Sequence, residues 1–260
     1  MNISVVISII VAILAVVLFQ GRGSTVLHVI LQPTAMIVVI GGTFLASLIN
    51  FSPSIVADAA KSALDVFKPK ENLKILIIEE IIQIARYARH NSLFQLQDII
   101  EKVQNSFLKR GLKLAVDIDN PQLLQDILGA EIAYDEEQEL INSRVFEAMG
   151  GYAPTFGVMG AVLGLIQVMS HIQHPEVLGI GIATAFVATL YGVGSANIVF
   201  LPIAGKMKLK LREEVLFKEA MLQAILSITV GENPAIIEER LVAYLKYNNK
   251  KYPAELVYGA

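Results

Sequence analysis

"GGYAPTFGVMGAVLGLIQVM", residues 150–169, contains five glycines, one proline and no charged side chain. A glycine-rich stretch of this kind is either a loop that holds a ligand or a helix that lets a neighbour approach closely. A phosphate-binding loop needs Gly-Lys-Ser/Thr, and a dinucleotide-binding loop needs a preceding strand with G-x-G-x-x-G; neither is present. Gly157, Gly160 and Gly164 instead follow at spacings of three and four, on one face of a helix. The neighbour on that face is either a helix of the same chain or a different subunit.

The composition around this stretch is that of a membrane protein. The chain has 260 residues, of which 54% are hydrophobic and 17% are charged, whereas soluble domains contain about a quarter charged residues. A helix that crosses a bilayer needs roughly 20 apolar residues. Charge-free stretches of this length predict four transmembrane spans, near residues 1–19, 33–51, 151–171 and 177–203.

The predicted fold is therefore all-α, a polytopic membrane protein with four transmembrane helices and a helical cytoplasmic domain. Eleven of the 21 Lys and Arg residues lie between spans two and three, and nine follow span four. This asymmetry places both termini and the central segment in the cytoplasm. The predicted parts are a transmembrane hairpin of outer, membrane-facing helices (1–51), a cytoplasmic helical domain (52–149), a second transmembrane hairpin (150–205) and a cytoplasmic helical tail (206–260).

The central segment shows three helical patterns. "ENLKILIIEEIIQIARYARH" repeats apolar residues at i, i+3 and i+4. "LFQLQDIIEKVQNSFLKRG" predicts a second helix that ends at Gly111. "DNPQLLQDILGAEI" starts a third helix with Asn120 as the N-cap and Pro121 as the first helical residue, and this helix is expected to run directly into span three. The mixed charges of this segment exclude a nucleic-acid surface, which needs a concentrated basic face.

The predicted spans contain no Asp, Glu, Lys or Arg. A protein that moves ions through a membrane needs an ionisable group within it, so any titrating carboxylate must come from a partner. His171 and His174 are too few for a metal site. Counted from His174, Ala161 and Thr189 are 13 and 15 residues away, and they are expected at similar depth in the antiparallel span pair. The Thr189 hydroxyl binds either an ion or water in a path, or the carbonyl of its own preceding turn.

These features resemble the A subunit of the bacterial flagellar motor stator, the MotA/PomA family, which is related to TolQ/ExbB. The resemblance covers nearly the whole chain. It rests on "YAPTFGVMGAVLGLIQVM", "ATLYGVGSANIVFLPIAGKMK" and "DNPQLLQDILGAEI". It implies a pentamer of A subunits around a B-subunit dimer of the MotB/PomB type, which supplies a transmembrane aspartate. The ring would turn around the dimer and push on the rotor switch protein FliG. No enzymatic activity and no cofactor is expected.

The resemblance also assigns roles to individual residues. Pro154 and Pro202 match the prolines that couple ion flow to conformational change. The predicted packing face for the B subunit is formed by Gly157, Gly160, Gly164 and Tyr191. The predicted rotor contacts are Arg86, Arg89, Gln97, Asp98 and Glu101.

One departure from the family pattern concerns the rotor. The family has a glutamate eight residues after the arginine that matches Arg89, and this chain has Gln97 there. Asp98 or Glu101 is then expected to compensate, since losing one exposed ion pair costs only about 0–1 kcal/mol.

A second departure concerns the ion. Sodium-driven members have a threonine at the position of Ala161, whereas the threonine of span four is kept as Thr189. Sodium needs oxygen ligands, which a methyl group lacks, so protons are favoured. Thr155 is also assigned to the ion path, but its register does not let it replace the missing ligand.

Two other functions stay open at this stage. A TolQ/ExbB-type ring subunit would have three spans and a different loop layout. A self-contained channel or transporter would be expected to contain intramembrane charges or inverted half-repeats. An enzyme is the least expected class, since no nucleophile–base pair or ligand cluster stands out.

Overall fold

The computed structural model describes residues 31–68, 71–91, 93–170, 172–173 and 175–247, and every regular element in these ranges is a helix. The all-α prediction is confirmed. The predicted first span lies outside the described residues, so the count of four spans stays a prediction. The helices are α1 (Pro33–Asn50), α2 (Pro53–Asp65), α3 (Glu71–His90), α4 (Gln97–Ile100), α5 (Ser106–Asp117), α6 (Pro121–Ser170), α7 (Pro175–Gly194), α8 (Leu201–Thr229) and α9 (Pro234–Tyr247).

The described residues include two π-helical stretches. Residues Ile37–Gly41 form one inside α1, and Ser195–Phe200 form the other between α7 and α8. Helix α1, helix α6 and the continuous path Leu178–Thr229 are long and apolar enough to cross a membrane. The second, third and fourth predicted spans are therefore helices of the expected kind, and the chain is a membrane protein.

The described residues divide into two compact units. Unit 1 comprises those within 1–68 and 139–208, and unit 2 comprises those within 69–138 and from 209 onward. These limits differ from the predicted limits at 51, 149 and 205, because α6 and α8 run on without interruption past the apolar stretches. A compact unit does not mark a membrane surface, so the predicted membrane boundaries stay a prediction.

Unit 1 has little interior of its own. It contains two small clusters of buried apolar side chains, one of which is formed by Ala35, Val39, Val187 and Ala188. Large apolar side chains of its helices are exposed, among them Ile49 at 89% and Phe186 at 74%. Such exposure fits helices that contact lipid or another protein rather than water.

Unit 2 contains the main hydrophobic core. Its largest fully buried side chains come from α3, α5, the start of α6, α8, α9 and the short turns around α4. They are Ile78, Ile81, Ile84, Leu96, Ile100, Leu108, Leu112, Leu124, Leu128, Met221, Ile225 and Ile237. The apolar periodicity of α3 thus predicted a core-facing helix correctly.

The start of α6 confirms the predicted N-cap. The Asn120 Oδ1 atom accepts hydrogen bonds from the backbone N–H groups of Gln122 and Leu123, at 3.0 and 3.4 Å. Pro121 is the first residue of α6, which continues without a break to Ser170. The expectation that this helix runs directly into span three is therefore confirmed.

The predicted helix end at Gly111 is wrong. The chain breaks earlier, between Ile100 and Ser106, and Asn105 caps the next helix by accepting a hydrogen bond from the Leu108 N–H at 2.9 Å. Gly111 is buried in the middle of α5. A Cβ on Gly111 would come within 2.5 Å of Ile225 Cδ1, so this glycine makes room for a core side chain instead of ending a helix.

Candidate functional site

Helices α6 and α7 of unit 1 cross at their glycines. A Cβ on Gly157 would come within 3.1 Å of Gly192 Cα, and one on Gly160 would come within 2.9 Å of Ala188 Cβ. A Cβ on Gly164 would likewise come within 3.2 Å of Ala185 Cβ. Side chains larger than those of glycine and alanine at these positions would hold the backbones of α6 and α7 apart.

This contact corrects the prediction that Gly157, Gly160 and Gly164 form the packing face for a B subunit. The space left by their missing side chains is filled by α7 of the same chain. The neighbour is therefore the intrachain helix, the first of the two interpretations of their spacing. Tyr191 is half-buried and packs against the cluster around Val39, and its assignment to a subunit contact stays a prediction.

The crossing fixes the positions of Ala161 and Thr189. Each follows a contact residue, Gly160 or Ala188, by one position. In an antiparallel pair of right-handed helices, one further step of about 100° turns both side chains toward the same side of the pair. Ala161 and Thr189 are both half-buried there. The structure thus brings together the two residues that were assigned to the ion path.

The side of the pair that carries Ala161 and Thr189 is an exposed apolar surface. Residues three or four positions away along each helix lie on the same side, and their large side chains are exposed. They are Val158 at 58%, Leu165 at 49%, Phe186 at 74% and Val193 at 48%. We call this surface the 161/189 face. No sequence motif marks these four residues, although the helical period from Ala161 and Thr189 identifies them.

The polar groups of this region bond to their own helices. Thr189 Oγ1 donates to the Ala185 carbonyl oxygen at 3.3 Å, and Thr155 Oγ1 donates to the Tyr152 carbonyl oxygen at 2.6 Å. A hydroxyl whose proton is used in this way still has lone pairs to accept a hydrogen bond or meet a cation. Thr155 does not lie on the 161/189 face, because it is six residues from Ala161 and about 120° away around the helix.

The two prolines lie near one contact between the helices. A Cβ on Gly150 would come within 2.5 Å of Leu201 Cδ2, so Leu201 packs over Gly150. Pro154 is one turn beyond Gly150 inside α6, and Pro202 follows Leu201 directly. Proline lacks the N–H that an α-helix needs, and the π-helical stretch Ser195–Phe200 precedes Pro202. The role of both prolines in coupling stays a prediction.

The predicted rotor-contact residues in unit 2 differ in what surrounds them. Arg86 forms an ion pair with Glu238 at 3.5 Å. Arg89 is exposed in the last turn of α3, and it has no ion pair among the residues that the structure describes. Gln97 and Asp98 are exposed at the start of α4.

Glu101 is held by two lysines of α5. Its carboxylate accepts from Lys109 Nζ at 2.9 Å and from Lys113 Nζ at 2.5 Å. These two ammonium groups, Lys113 first, lower the pKa of Glu101 to about 2. Glu101 is therefore already neutralised within unit 2, and Asp98 is the acid near Gln97 that is left to meet a basic partner.

Comparisons with known proteins agree with this arrangement. The model of the MotA/TolQ/ExbB proton channel family matches residues 99–220. Motility protein A of Bacillus subtilis is 37% identical over 228 residues, which covers 86% of this chain and 83% of that protein. Chemotaxis protein PomA of Vibrio alginolyticus is 31% identical over 212 residues, which covers 82% and 83%.

A solved structure extends the likeness to the fold of nearly the whole chain. The flagellar MotAB stator complex from Bacillus subtilis matches with a TM-score of 0.84 and 33% identity, over 94% of this chain and 96% of that chain. The resemblance stated from the two glycine- and proline-containing spans is thereby confirmed. The chain belongs to the MotA/TolQ/ExbB proton channel family, as an A subunit of the flagellar motor stator.

Proposed function

We propose that this stator subunit conducts protons together with a B subunit and converts their flow into rotation. Five copies surround a B-subunit dimer in the bacterial inner membrane, with both termini of each copy in the cytoplasm. The B subunit supplies a transmembrane aspartate, and the cytoplasmic part pushes on FliG. The solved Bacillus subtilis relative is a MotAB complex, which supports a partner of the same kind here.

The observation that carries the proposal is the 161/189 face. It presents large apolar side chains and one hydroxyl, and the stretch 148–175 and the stretch 177–205 contain no Asp, Glu, Lys or Arg. A proton path needs a group that binds and releases the proton within the membrane. An exposed apolar surface that lacks such a group fits a second membrane helix that brings the carboxylate against Thr189.

The ion is assigned from the ligands at this depth. Thr189 offers a hydroxyl oxygen, whereas Ala161 offers a methyl group on the same side of the helix pair. Sodium exchanges its hydration shell for several oxygen ligands, and a proton needs only the carboxylate and a hydrogen-bonded path. The pair Ala161 and Thr189 therefore favours protons.

The rotor contact is assigned to Arg89 and Asp98. Both are exposed in unit 2, whereas Glu101 is engaged by Lys109 and Lys113. A rotor surface with complementary charges would find a free guanidinium and a free carboxylate there. Electrostatic contacts of this kind set orientation and speed of association more than affinity.

The test is proton uptake by liposomes into which the protein is reconstituted. The liposomes are loaded with a pH-sensitive dye, and a potential is imposed across their membrane. We expect no uptake with the chain alone, uptake with the chain and its B subunit, and none when the B-subunit aspartate is replaced by asparagine. Uptake by the chain alone would show a self-contained channel and overturn the proposal. A stator that assembles normally but does not respond to loss of that aspartate would overturn it as well.

A further inference from the structure

One face of α6 in unit 2 is apolar and open. Four apolar residues follow there at spacings of four, three and four, a heptad pattern that is typical of a helix packed along another helix. They are Leu123, Ile127, Ala130 and Tyr134. Leu123 is 48% exposed and Tyr134 is 66% exposed, so the described part of unit 2 leaves both ends of this face uncovered. We call these four residues the α6 seam.

The opposite face of α6 forms one wall of an open groove, and α8 forms the other wall. The volume of this α6/α8 groove is about 490 Å³. The α6 residues that line it repeat the spacings of the α6 seam two positions later, and they are Gln125, Gly129, Ile132 and Glu136. Two positions correspond to about 200° around a helix. The α6 seam and the α6/α8 groove therefore lie on opposite sides of α6.

The α6/α8 groove has an apolar floor and an acidic rim. Ile132 and Leu222 are buried at its floor, and Ala220 lies along the α8 wall. Glu136 of α6 and Glu219 of α8 are exposed at its edges, and neither has a basic partner in the part of the chain that the structure describes. A surface that fits this groove is therefore apolar along its centre and carries positive charge beside it.

Positive charge of this kind lies beside the α6 seam. Arg110 of α5 is 61% exposed, and its Nε atom is 3.4 Å from Glu131 Oε2. Among the described residues this is its one ion pair, so its two terminal nitrogens are left to donate to a second carboxylate. Glu131 is four residues after Ile127 and three before Tyr134, which places Glu131 and Arg110 next to the seam.

The α6 seam and the α6/α8 groove are complementary surfaces of one kind of chain. A contact that joins copies around a ring pairs two different surfaces of the same subunit. The seam covers residues 123–134 and the α6 wall of the groove covers residues 125–136, so each extends over about 16 Å of helix. In a ring whose axis runs along α6, equal residues lie at equal heights. The seam of one copy then faces the groove of the next copy along its whole length.

We propose that the α6 seam of each copy packs into the α6/α8 groove of the next copy. This contact depends on the ring of five copies that the proposed function requires. The side chains of the seam cover Ile132 and Ala220, and Arg110 meets Glu219 on the α8 wall. One contact thereby covers the open apolar face and neutralises a free carboxylate. It joins unit 2 of neighbouring copies, so that a force on one copy is passed to the next.

Cysteine cross-linking tests this contact, because the natural chain has no cysteine. Tyr134→Cys on the seam is combined with Ala220→Cys in the groove of the same chain, and the stator is purified with its B subunit and oxidised. Within one chain Tyr134 faces away from the groove, so a disulfide between these positions has to join two copies. The matched control combines Tyr134→Cys with Ala243→Cys, an exposed alanine of α9 that does not line the groove.

We expect a ladder of linked chains, from the dimer upward, on a denaturing gel. Its yield should be about tenfold above that of the control pair, because a packed contact gives the two cysteines a high effective concentration. Neither single variant should form dimers, since the contact pairs two different positions. Dimers from a single variant would show that like surfaces meet and would overturn the proposal. Equal ladders from the two pairs, or no ladder from either, would overturn it as well.

Proton uptake by the same preparations separates this contact from the proposed function. A stator that conducts protons with its B subunit but forms no ladder would overturn the contact alone. A preparation that neither conducts protons nor contains more than one copy of the chain would overturn both the contact and the proposed function.

Charge reversal provides a second measurement that does not depend on the apolar part of the contact. In the chain with Tyr134→Cys and Ala220→Cys, Arg110→Glu is expected to lower the yield of the ladder about two- to fivefold, as for an exposed ion pair. Adding Glu219→Arg should restore the yield, because the same pair then forms between copies with its charges exchanged. A yield that ignores the first reversal, or that the second does not restore, would overturn the pairing of Arg110 with Glu219.

Discussion

Gly192 of α7 meets Gly157 of α6 backbone to backbone. A Cβ on Gly192 would come within 2.9 Å of Gly157 Cα and within 2.6 Å of the Ala153 carbonyl oxygen. Because both contacts are to backbone, no side chain can rotate away to relieve them. The distance between the two helices therefore depends on the absence of a single methyl group at residue 192.

Gly192→Ala is accordingly expected to destabilise the helix pair by about 1–3 kcal/mol, the usual cost of overpacking. The measurement is thermal unfolding of the purified stator in detergent, together with swimming of a strain that depends on it. Gly179→Ala is the control, since no atom lies within 4 Å of a Cβ on Gly179 of the same helix. Equal melting temperatures for the two variants would contradict the argument.

Gly111 provides a similar test in unit 2. Its Cβ would come within 2.5 Å of Ile225 Cδ1, and Ile225 is fully buried. We expect Gly111→Ala to lower the free energy of unfolding, because overpacking of about 1–3 kcal/mol exceeds the gain in helix propensity of about 1 kcal/mol. Adding Ile225→Val removes the clashing methyl group and should recover part of the loss.

The matched control for Gly111 is Gly129→Ala in α6. No atom lies within 4 Å of a Cβ on Gly129, so this change should be neutral or stabilising by up to about 1 kcal/mol. Chemical unfolding of the purified protein measures both variants. If Gly111→Ala is as stable as Gly129→Ala, the core around Ile225 is looser than its contacts indicate.

Local signals in the sequence predicted some features correctly because their cause is local. Asn120 and Pro121 mark the start of α6 through hydrogen bonds within three residues, and the period of α3 follows from its own buried face. Gly111 shows the opposite case. A glycine that ends a helix and one that makes room for Ile225 look alike in sequence, since the difference lies over a hundred positions away.

The glycine face of α6 shows the same limit for the candidate site. The spacing of Gly157, Gly160 and Gly164 correctly predicts a close helix neighbour, but spacing does not say to which chain that helix belongs. Once α7 is known to fill this face, helical geometry places Ala161 and Thr189 on one exposed side. The 161/189 face thus follows from the crossing between α6 and α7, which no single stretch of sequence determines.

The ion pairs of Glu101 predict a pH dependence. Its folded-state pKa of about 2 lies below the ordinary value of 4.5, so the pairs with Lys109 and Lys113 stabilise the fold above pH 4.5 and lose their effect as the pH falls toward 2. Replacing Lys113 by Gln is expected to raise the pKa of Glu101. Carbon NMR of glutamate-labelled protein measures it, with Lys102→Gln as the control, since Lys102 does not bond to Glu101 in the described contacts. An unchanged titration of Glu101 would contradict the assignment.

The rotor contact predicts unequal effects of two neighbouring arginines. Arg89 is exposed without an ion pair among the described residues, whereas Arg86 is bound to Glu238. Arg89→Glu should therefore slow swimming more than Arg86→Glu at equal amounts of stator in the membrane. Because the effect is electrostatic, reversing a complementary acid on FliG should restore part of the speed. A larger loss from Arg86→Glu would place the contact on a different part of α3.

The position of Ala161 predicts which ion drives the motor. Ala161 and Thr189 lie on one side of the α6 and α7 pair, and only Thr189 offers an oxygen there. We expect cells that carry the natural protein to swim at a speed that does not depend on external sodium. Their speed should fall when the proton gradient is removed. Ala161→Thr adds a second hydroxyl at this depth and should introduce a dependence on sodium. Valine has nearly the same shape as threonine but no hydroxyl, so Ala161→Val separates the effect of an added ligand from that of added bulk. Sodium-dependent swimming of cells that carry the unmodified protein would contradict the proton assignment, because the ligands for sodium would then have to come from residues other than 161.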